Sequence, residues 1–277
     1  MALRVIYDNA ADRAATLVAS STAGSLVASN LQTDIKSAVW RSTATTATIT
    51  ATFSAYEMVA GVVLPFCNFT SAATMRVRGY TEIADASPSF DTGAILACPV
   101  ANLGMWSWGA TMGVNAYAYG GGTYGRIWPT DPHAIKKVVI DIVDSTNPSG
   151  YIEVGRLVCG NYWSPEINTE YGSTSVSVQD TSKQFRNDAG DLMSDRGTKH
   201  KKQTLSLGAM AAADREQLWN ILLGNGMSRP ILFSLYPNGS DNQLEQIHQM
   251  YCKLAVAPDM HIPYFDRYAS SLTLEEV

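Results

Sequence analysis

Three aspartates, four histidines, four cysteines and a triple glycine are the residues that first invite a chemical reading. Gly120-Gly121-Gly122 has the look of a phosphate loop, but such a loop ends in Gly-Lys-Ser/Thr and opens a helix, whereas Thr123-Tyr124-Gly125 follows here. Asp131, Asp141 and Asp144 could form a cation site or a carboxylate pair. Asp141 alternates with Ile140 and Ile142 as a solvent-side strand residue does, and Asp144-Ser145-Thr146-Asn147-Pro148 has turn composition, so turn chemistry is the preferred reading. His133, His200, His248 and His261 lie far apart with no acid or thiol at catalytic spacing, and no Gly-x-Ser-x-Gly elbow occurs. Cys67, Cys98, Cys159 and Cys252 show no metal-ligand spacing. Cys67, Cys159 and Cys252 sit in or beside apolar strands, and buried free thiols are expected. A glycosidase would need two inward carboxylates brought together by folding, yet most acidic residues fall in turns or in a helix. No catalytic residue, cofactor or metal is therefore expected, and the chain is read as a non-enzyme.

Other residues suggest binding. Trp106, Trp108, Tyr117, Tyr119, Tyr124 and Trp128 crowd a stretch rich in Gly and Pro, residues 85–131. Flat rings bury much area with few torsions to freeze, so these six are candidate contacts for a partner protein or a glycan. Packing of the segment over its own fold is the competing reading. Trp40-Arg41 is either a buried core tryptophan, the preferred reading, or a cation-π platform. Lys199-His200-Lys201-Lys202 is the one basic cluster in a chain of net charge −5; a solvated loop is preferred over a nucleic-acid contact.

These residues must be positioned mainly by strands. Ile49, Ala51 and Phe53 alternate with threonines, Val59 to Phe66 is apolar throughout, and Met75 and Val77 alternate with Arg76 and Arg78. Further strands are expected at 135–142 and 150–157. Pro165 marks a boundary, giving domains 1–164 and 165–277, the first with the 85–131 insertion. In the second, strands are expected near 173–179, 203–207, 231–236, 250–256 and 272–274. One helix is expected near 211–223, with Leu218, Trp219, Leu222 and Leu223 as its buried stripe and Gly224-Asn225-Gly226 as its stop. The 16% charged content is low for a soluble domain and fits extensive contact with neighbours. No cationic leader or membrane-length apolar run is present, which leads to an expectation of synthesis in a cytoplasm.

The strand order of the first half resembles the galactose-binding-like (discoidin-type) jelly rolls of tailed-phage virion proteins. The strand-strand-helix-strand-strand order of the second half resembles the smaller β-barrel-plus-helix domain of siphophage tail-tube and distal-tail proteins. The resemblance implies a structural component of a phage tail tip or baseplate, built into the virion as a homo-oligomer, a hexameric ring. It would join the tube, hub and receptor-binding proteins, have no contact with membrane, and meet DNA only in transit through the channel. The alternative is a carbohydrate-binding module for host-surface glycan. The resemblance also implies that Trp40 plugs the sandwich, and that a calcium site, if one exists, would involve Asn30 and Asp34, a donor set thin for that ion. Within residues 180–202, Lys183, Arg186, Asp188, Asp191, Asp195 and Arg196 are candidate inter-subunit contacts on a loop expected to order only on assembly.

Overall fold

The structure, a computed structural model, describes residues 3–98, 123–170, 172–237 and 242–277. The chain divides into two compact units: Met1–Ser164 with Ile231–Gln249, and Pro165–Pro230 with Met250–Val277. The second unit is thus not the contiguous 165–277 stretch expected from the sequence, because residues 231–249 belong to the first.

The first unit contains β1 (Arg4–Ile6), β2 (Ala14–Ala19), β3 (Trp40–Arg41), β4 (Thr46–Val59), β5 (Gly61–Cys67), β6 (Thr74–Tyr80), β7 (Phe90–Asp91), β8 (Ile95–Leu96), β9 (Thr123–Ile127), β10 (His133–Val143), β11 (Glu153–Val154) and β12 (Val158–Gly160). One antiparallel sheet runs β2-β4-β10-β6-β7, with β8 also on β6; the other runs β12-β5-β11-β3, with β9 also on β5. The period-two pattern decides which face is dry. Ala47, Ile49, Ala51 and Phe53 of β4, Val138, Ile140 and Ile142 of β10, and Met75 and Val77 of β6 are buried. They share one core with Val62 and Leu64 of β5, Val154 of β11 and Trp40 of β3, which makes the unit a β-sandwich. The outward row carries charge pairs: Arg78 reaches Asp141 across the strands at 2.6 Å, and Arg76 Nε donates to Asp91 at 2.8 Å. β5 is buried along its whole length, as its unbroken apolar run implies.

The second unit contains β13 (Ser175–Asp180), β14 (Lys183–Arg186), β15 (Leu192–Asp195), β16 (Lys199–Met210) and α1 (Ala212–Asn225). After these the chain returns to the first unit as β17 (Ile231–Ser234), which pairs β1, and α2 (Asn242–Ile247). It closes with β18 (Gln249–Leu254), β19 (Met260–Tyr264) and β20 (Arg267–Glu276). Among the described strands of this unit, β18, β20, β16 and β13 form an open antiparallel sheet with β19 alongside β20. Helix α1 has no side-chain N-cap at Ala211, and its Asp214 instead accepts the Glu166 N–H at 3.0 Å. It stops at Gly226, whose φ of 53° is a conformation glycine adopts freely and whose N–H caps the Leu222 carbonyl at 2.9 Å. Among the described residues no helix is long and apolar enough to cross a membrane.

The segment expected to be loose, residues 180–202, is a regular β-structure. β13 and β16 pair from Ser175↔Thr204 to Asp180↔Lys199, and β14 and β15 continue as a two-stranded hairpin from Lys183↔Asp195 to Arg186↔Leu192. The Gly190 turn, at φ 88°, lets the chain reverse between these two strands.

Candidate functional site

Two of the three carboxylates considered for chemistry, Asp144 and Asp141, are engaged in holding the fold. Asp144 is fully buried and accepts from the Thr70 N–H at 2.9 Å, the Thr70 hydroxyl at 2.5 Å and the Asn147 amide at 3.0 Å. Asn147 also donates to the Asn68 carbonyl at 3.0 Å, so one carboxylate locks the β5–β6 and β10–β11 loops together. Asp141 is saturated by Arg78 and by the Thr48 hydroxyl at 2.9 Å on the solvent side of the sheet. Asp131 is exposed.

At the implied calcium position a guanidinium takes the cation's place. Arg156, 3% exposed at its side chain, pairs with Asp12 at 2.7 Å and Asp34 at 3.1 Å and donates to the Leu31 carbonyl at 3.1 Å. Asn30 turns its amide to the Val39 carbonyl at 2.8 Å. Burial pushes the Asp12 carboxyl above its usual range against the pull of Arg156.

The histidines stay apart: His133 stacks on Phe90, His200 meets Glu275 at 2.9 Å, His248 sits against the Leu244 carbonyl and Tyr236, and His261 is exposed on β19. All four cysteines are buried and none is in a disulfide, and burial pushes the thiols of Cys67, Cys159 and Cys252 up, Cys159 to about 12. Among the described residues, no three His, Cys, Asp or Glu side chains gather as metal ligands.

Trp40 is fully buried with its indole N–H on the Ser21 carbonyl at 3.1 Å, so it is core. Its neighbour Arg41 pairs with Glu153 and lies over Tyr151 at 4.3 Å. Of the six aromatic candidates, Trp106, Trp108, Tyr117 and Tyr119 lie outside the described residues. The other two correct the expectation of surface contact. Tyr124 is fully buried on β9 with its ring 5.7 Å from Phe66, because it falls on an inward position of a strand covered on both sides. Trp128 is 7% exposed and lies across Gly61, where a Cβ would meet its ring at 2.5 Å. Tyr162 meets it edge-on, and the Arg4 guanidinium sits 5.1 Å from its centroid. The cation-π partner of this aromatic is therefore internal.

The basic run is matched by acids along β16. Lys199 pairs with Asp180 at 3.6 Å, His200 with Glu275, and the Lys201 N–H donates to Glu276. The charged candidates on the hairpin, Lys183, Arg186, Asp188, Asp191, Asp195 and Arg196, are all exposed. Several are committed within it: Lys183 opposes Asp195, Arg186 donates to the Gly190 carbonyl at 2.7 Å, and Asp191 accepts from Asn187. The charge-based reading passed over Phe185, Leu192 and Met193, which are exposed on the same hairpin.

The largest departure concerns α1. Asp214, Leu218, Ile221 and Asn225, spaced four, three and four, are its buried row. Trp219 is 53% and Leu223 71% exposed, with Met227 exposed just beyond. The expected stripe is thus divided between two faces: Leu218 points in, while Trp219 and Leu223 point out. The cause is visible in the sequence, since Leu218, Trp219, Ile221, Leu222 and Leu223 spread over more than one side of the helix and periodicity alone could not choose the inward one. Beside this outward face lie Leu254, Ala257 and Pro258, which with Trp219, Leu222, Leu223, Gly226 and Met227 enclose an open hollow of about 160 Å³. The β19–β20 turn of the same unit adds Ile262, Tyr264 and Phe265, exposed by 67, 71 and 100%. Neither the face nor the turn was picked out from sequence. The signal available was the apolar content of Trp219 to Met227 and the apolar residues around Pro263.

No protein-family model matches the chain, and no curated protein sequence does. Among solved structures, chitosan-binding module 1 of a chitosanase/glucanase from Paenibacillus sp. IK-5 is similar over 56% of this chain and 99% of its own, at 16% identity and TM-score 0.38. The lectin binding domain of Lectinolysin covers 56% and 96%, at 12% identity and TM-score 0.36. The module CBM32-1 of a family 31 glycoside hydrolase from Clostridium perfringens covers 54% and 97%, at 9% identity and TM-score 0.35. By name these neighbours are carbohydrate-binding modules, and none concerns a phage tail or baseplate. The sandwich in the first unit stands on its own strand pairing.

Proposed function

We propose that this chain is a non-catalytic structural protein that works by self-assembly, with the contact surface on its second unit. The single observation that carries the reading is the outward face of α1, where Trp219, Leu223 and Met227 are exposed together beside Leu254, Ala257 and Pro258. An apolar patch at the C-terminal end of an exposed helix face is suited to cover by another molecule, because contiguous exposed apolar area is rare on proteins that act alone. Among the described residues, buried Asp144 and the buried thiols serve the fold. The finer setting, a phage tail tip with a ring of six copies joined to tube, hub and receptor-binding proteins, rests on the sequence resemblance alone. Equilibrium sedimentation of the intact chain between 1 and 100 µM, on the order of typical working concentrations for such contacts, tests the reading. A mass rising to a defined oligomer supports it, and a monomer throughout removes it. Detection of the chain in purified virions is the test of the setting.

A second reading, glycan binding by the first unit, is favoured by one surface feature. The half-exposed Tyr56 ring has Lys136 Nζ 4.3 Å from its centroid and gives its hydroxyl to Glu82, which also accepts from Lys136 at 2.9 Å. A ring beside a fixed acceptor and donor is suited to a sugar's apolar face and hydroxyls. Calorimetric titration with chitosan and galactose-containing oligosaccharides, comparing wild type with Tyr56→Ala, decides it. Binding lost in the variant supports this reading, and no heat at millimolar sugar excludes it.

A further inference from the structure

The second unit carries both an apolar projection and an apolar hollow, and it cannot join them within one chain. The projection is the β19–β20 turn. Phe265 is fully exposed at its tip, flanked by Tyr264 and Ile262, and Asp266 holds the turn in the left-handed region at φ 54°. The hollow lies against the C-terminal half of α1, walled by Trp219, Leu222, Leu223, Met227, Leu254 and Pro258, with no charged residue in its lining. Its volume of about 160 Å³ suits one aromatic ring, since an apolar cavity of ~150 Å³ holds a benzene molecule. Phe265 lies seven positions beyond Pro258, and β19 between them is an extended strand held on β20 at Met260↔Ser270, His261↔Ala269 and Tyr264↔Arg267. At ~3.3 Å per residue this places the tip about 20 Å from the edge of the hollow, so the ring cannot fold back into it while the sheet is intact.

Resting on the self-assembly reading above, we infer that Phe265 at the β19–β20 turn of one copy inserts into the Trp219–Leu222–Met227–Leu254 hollow of a second copy. The occupant is committed by size and chemistry together: Phe265 is the most exposed large apolar side chain among the described residues and stands at the tip of a paired strand, the hollow is apolar and ring-sized, and both are present at equal concentration in every sample. Projection and hollow are different patches, so two copies either exchange projections about a twofold axis or propagate head to tail until a ring closes. A ring seated in a desolvated pocket is the kind of contact that dominates an interface, with Ile262 and Tyr264 extending the covered area around it.

The test uses two variants of the full chain, each altering a side chain that is more than two-thirds exposed: Phe265→Asp, which disables the projection, and Leu223→Asp, which disables the hollow. Both are expected to keep the wild-type melting temperature and to self-associate at least tenfold more weakly than wild type by sedimentation velocity. Mixed one to one, they retain one working projection and one working hollow between them, and a heterodimer that grows no further is expected. If wild type associates but the mixture stays monomeric, or if Phe265→Asp associates as wild type does, the insertion is wrong and the self-assembly reading survives on another surface. If wild type is itself monomeric, both fall.

Discussion

Replacing Leu218 and Trp219 by alanine, one at a time, separates the observed orientation of α1 from the one its sequence suggests. Leu218 is 2% exposed and Trp219 53% exposed, although they are adjacent in the chain. A buried leucine truncated to alanine loses transfer free energy and leaves a cavity, a cost of about 3 kcal/mol within the usual range. For Trp219, roughly half of a ring system that covers ~200 Å² is in contact with the unit, so about 100 Å² at ~25 cal/mol/Å² gives an upper bound near 2.5 kcal/mol. Residual burial in the unfolded chain and the better helix propensity of alanine reduce this to about 1–1.5 kcal/mol. Thermal unfolding at low micromolar concentration, where any self-association is weakest, should show Leu218→Ala melting lower by about 8 °C and Trp219→Ala by about 3 °C, at ~2–4 °C per kcal/mol. A Trp219→Ala loss equal to or larger than that of Leu218→Ala would mean that α1 is rotated from its observed setting, and the outward apolar face would go with it.

Asp144→Ala strands three buried donors from Thr70 and Asn147 and should destabilise the protein by about 3 kcal/mol in denaturant titration; a loss below 1 kcal/mol would show that the loop lock is not formed. Ellman's reagent should modify none of the four cysteines in the native protein and all four in guanidinium, because the thiols are buried and those of Cys67, Cys159 and Cys252 are pushed up; rapid native labelling of any one would contradict that placement. The side-chain hydrogen bond from Arg76 holds the Asp91 carboxyl down to about 2. A depressed acid contributes stability above its unfolded value, about 4, and loses it as pH falls through about 2, so Asp91→Asn should remove a small part of the acid-unfolding slope in that window. Solvent screening of this exposed pair limits the effect to about 0.5–1 kcal/mol, and a larger change would indicate a burial the structure lacks.

The sandwich was legible because strand period and burial coincide there. Ile49, Ala51 and Phe53 face the core as alternation requires, β5 is covered along its whole apolar run, and Trp40 is core. Long-range partners were not legible. Arg156 occupies the space between Asp12 and Asp34 from 122 or more residues away in sequence, and no local pattern announces it. Tyr124 and Trp128 belong to a glycine-rich run that suggests a loop, yet β5 recruits part of it as a strand and Gly61 makes room for the indole. The hairpin was visible as charge without structure, because alternating polar residues form strands as readily as apolar ones once a glycine turn pairs them. The inward side of α1 could not be chosen from a helix with apolar residues on both sides. That failure coincides with the candidate surface, since an exposed apolar face that serves assembly has the composition of a core.

Hydroxyl-radical footprinting with peptide mass spectrometry, at 1 and 100 µM, on the order of the dilute and associated limits for such contacts, tests the central claim most directly. Assembly through the outward face of α1 predicts that Trp219, Leu223 and Met227, with Phe265 at the β19–β20 turn, become several-fold less reactive at the higher concentration, while exposed Tyr56 and Ile83 of the first unit do not change. Unchanged reactivity at Trp219, Leu223 and Met227, in a sample whose mass shows it to be assembled, would contradict the account.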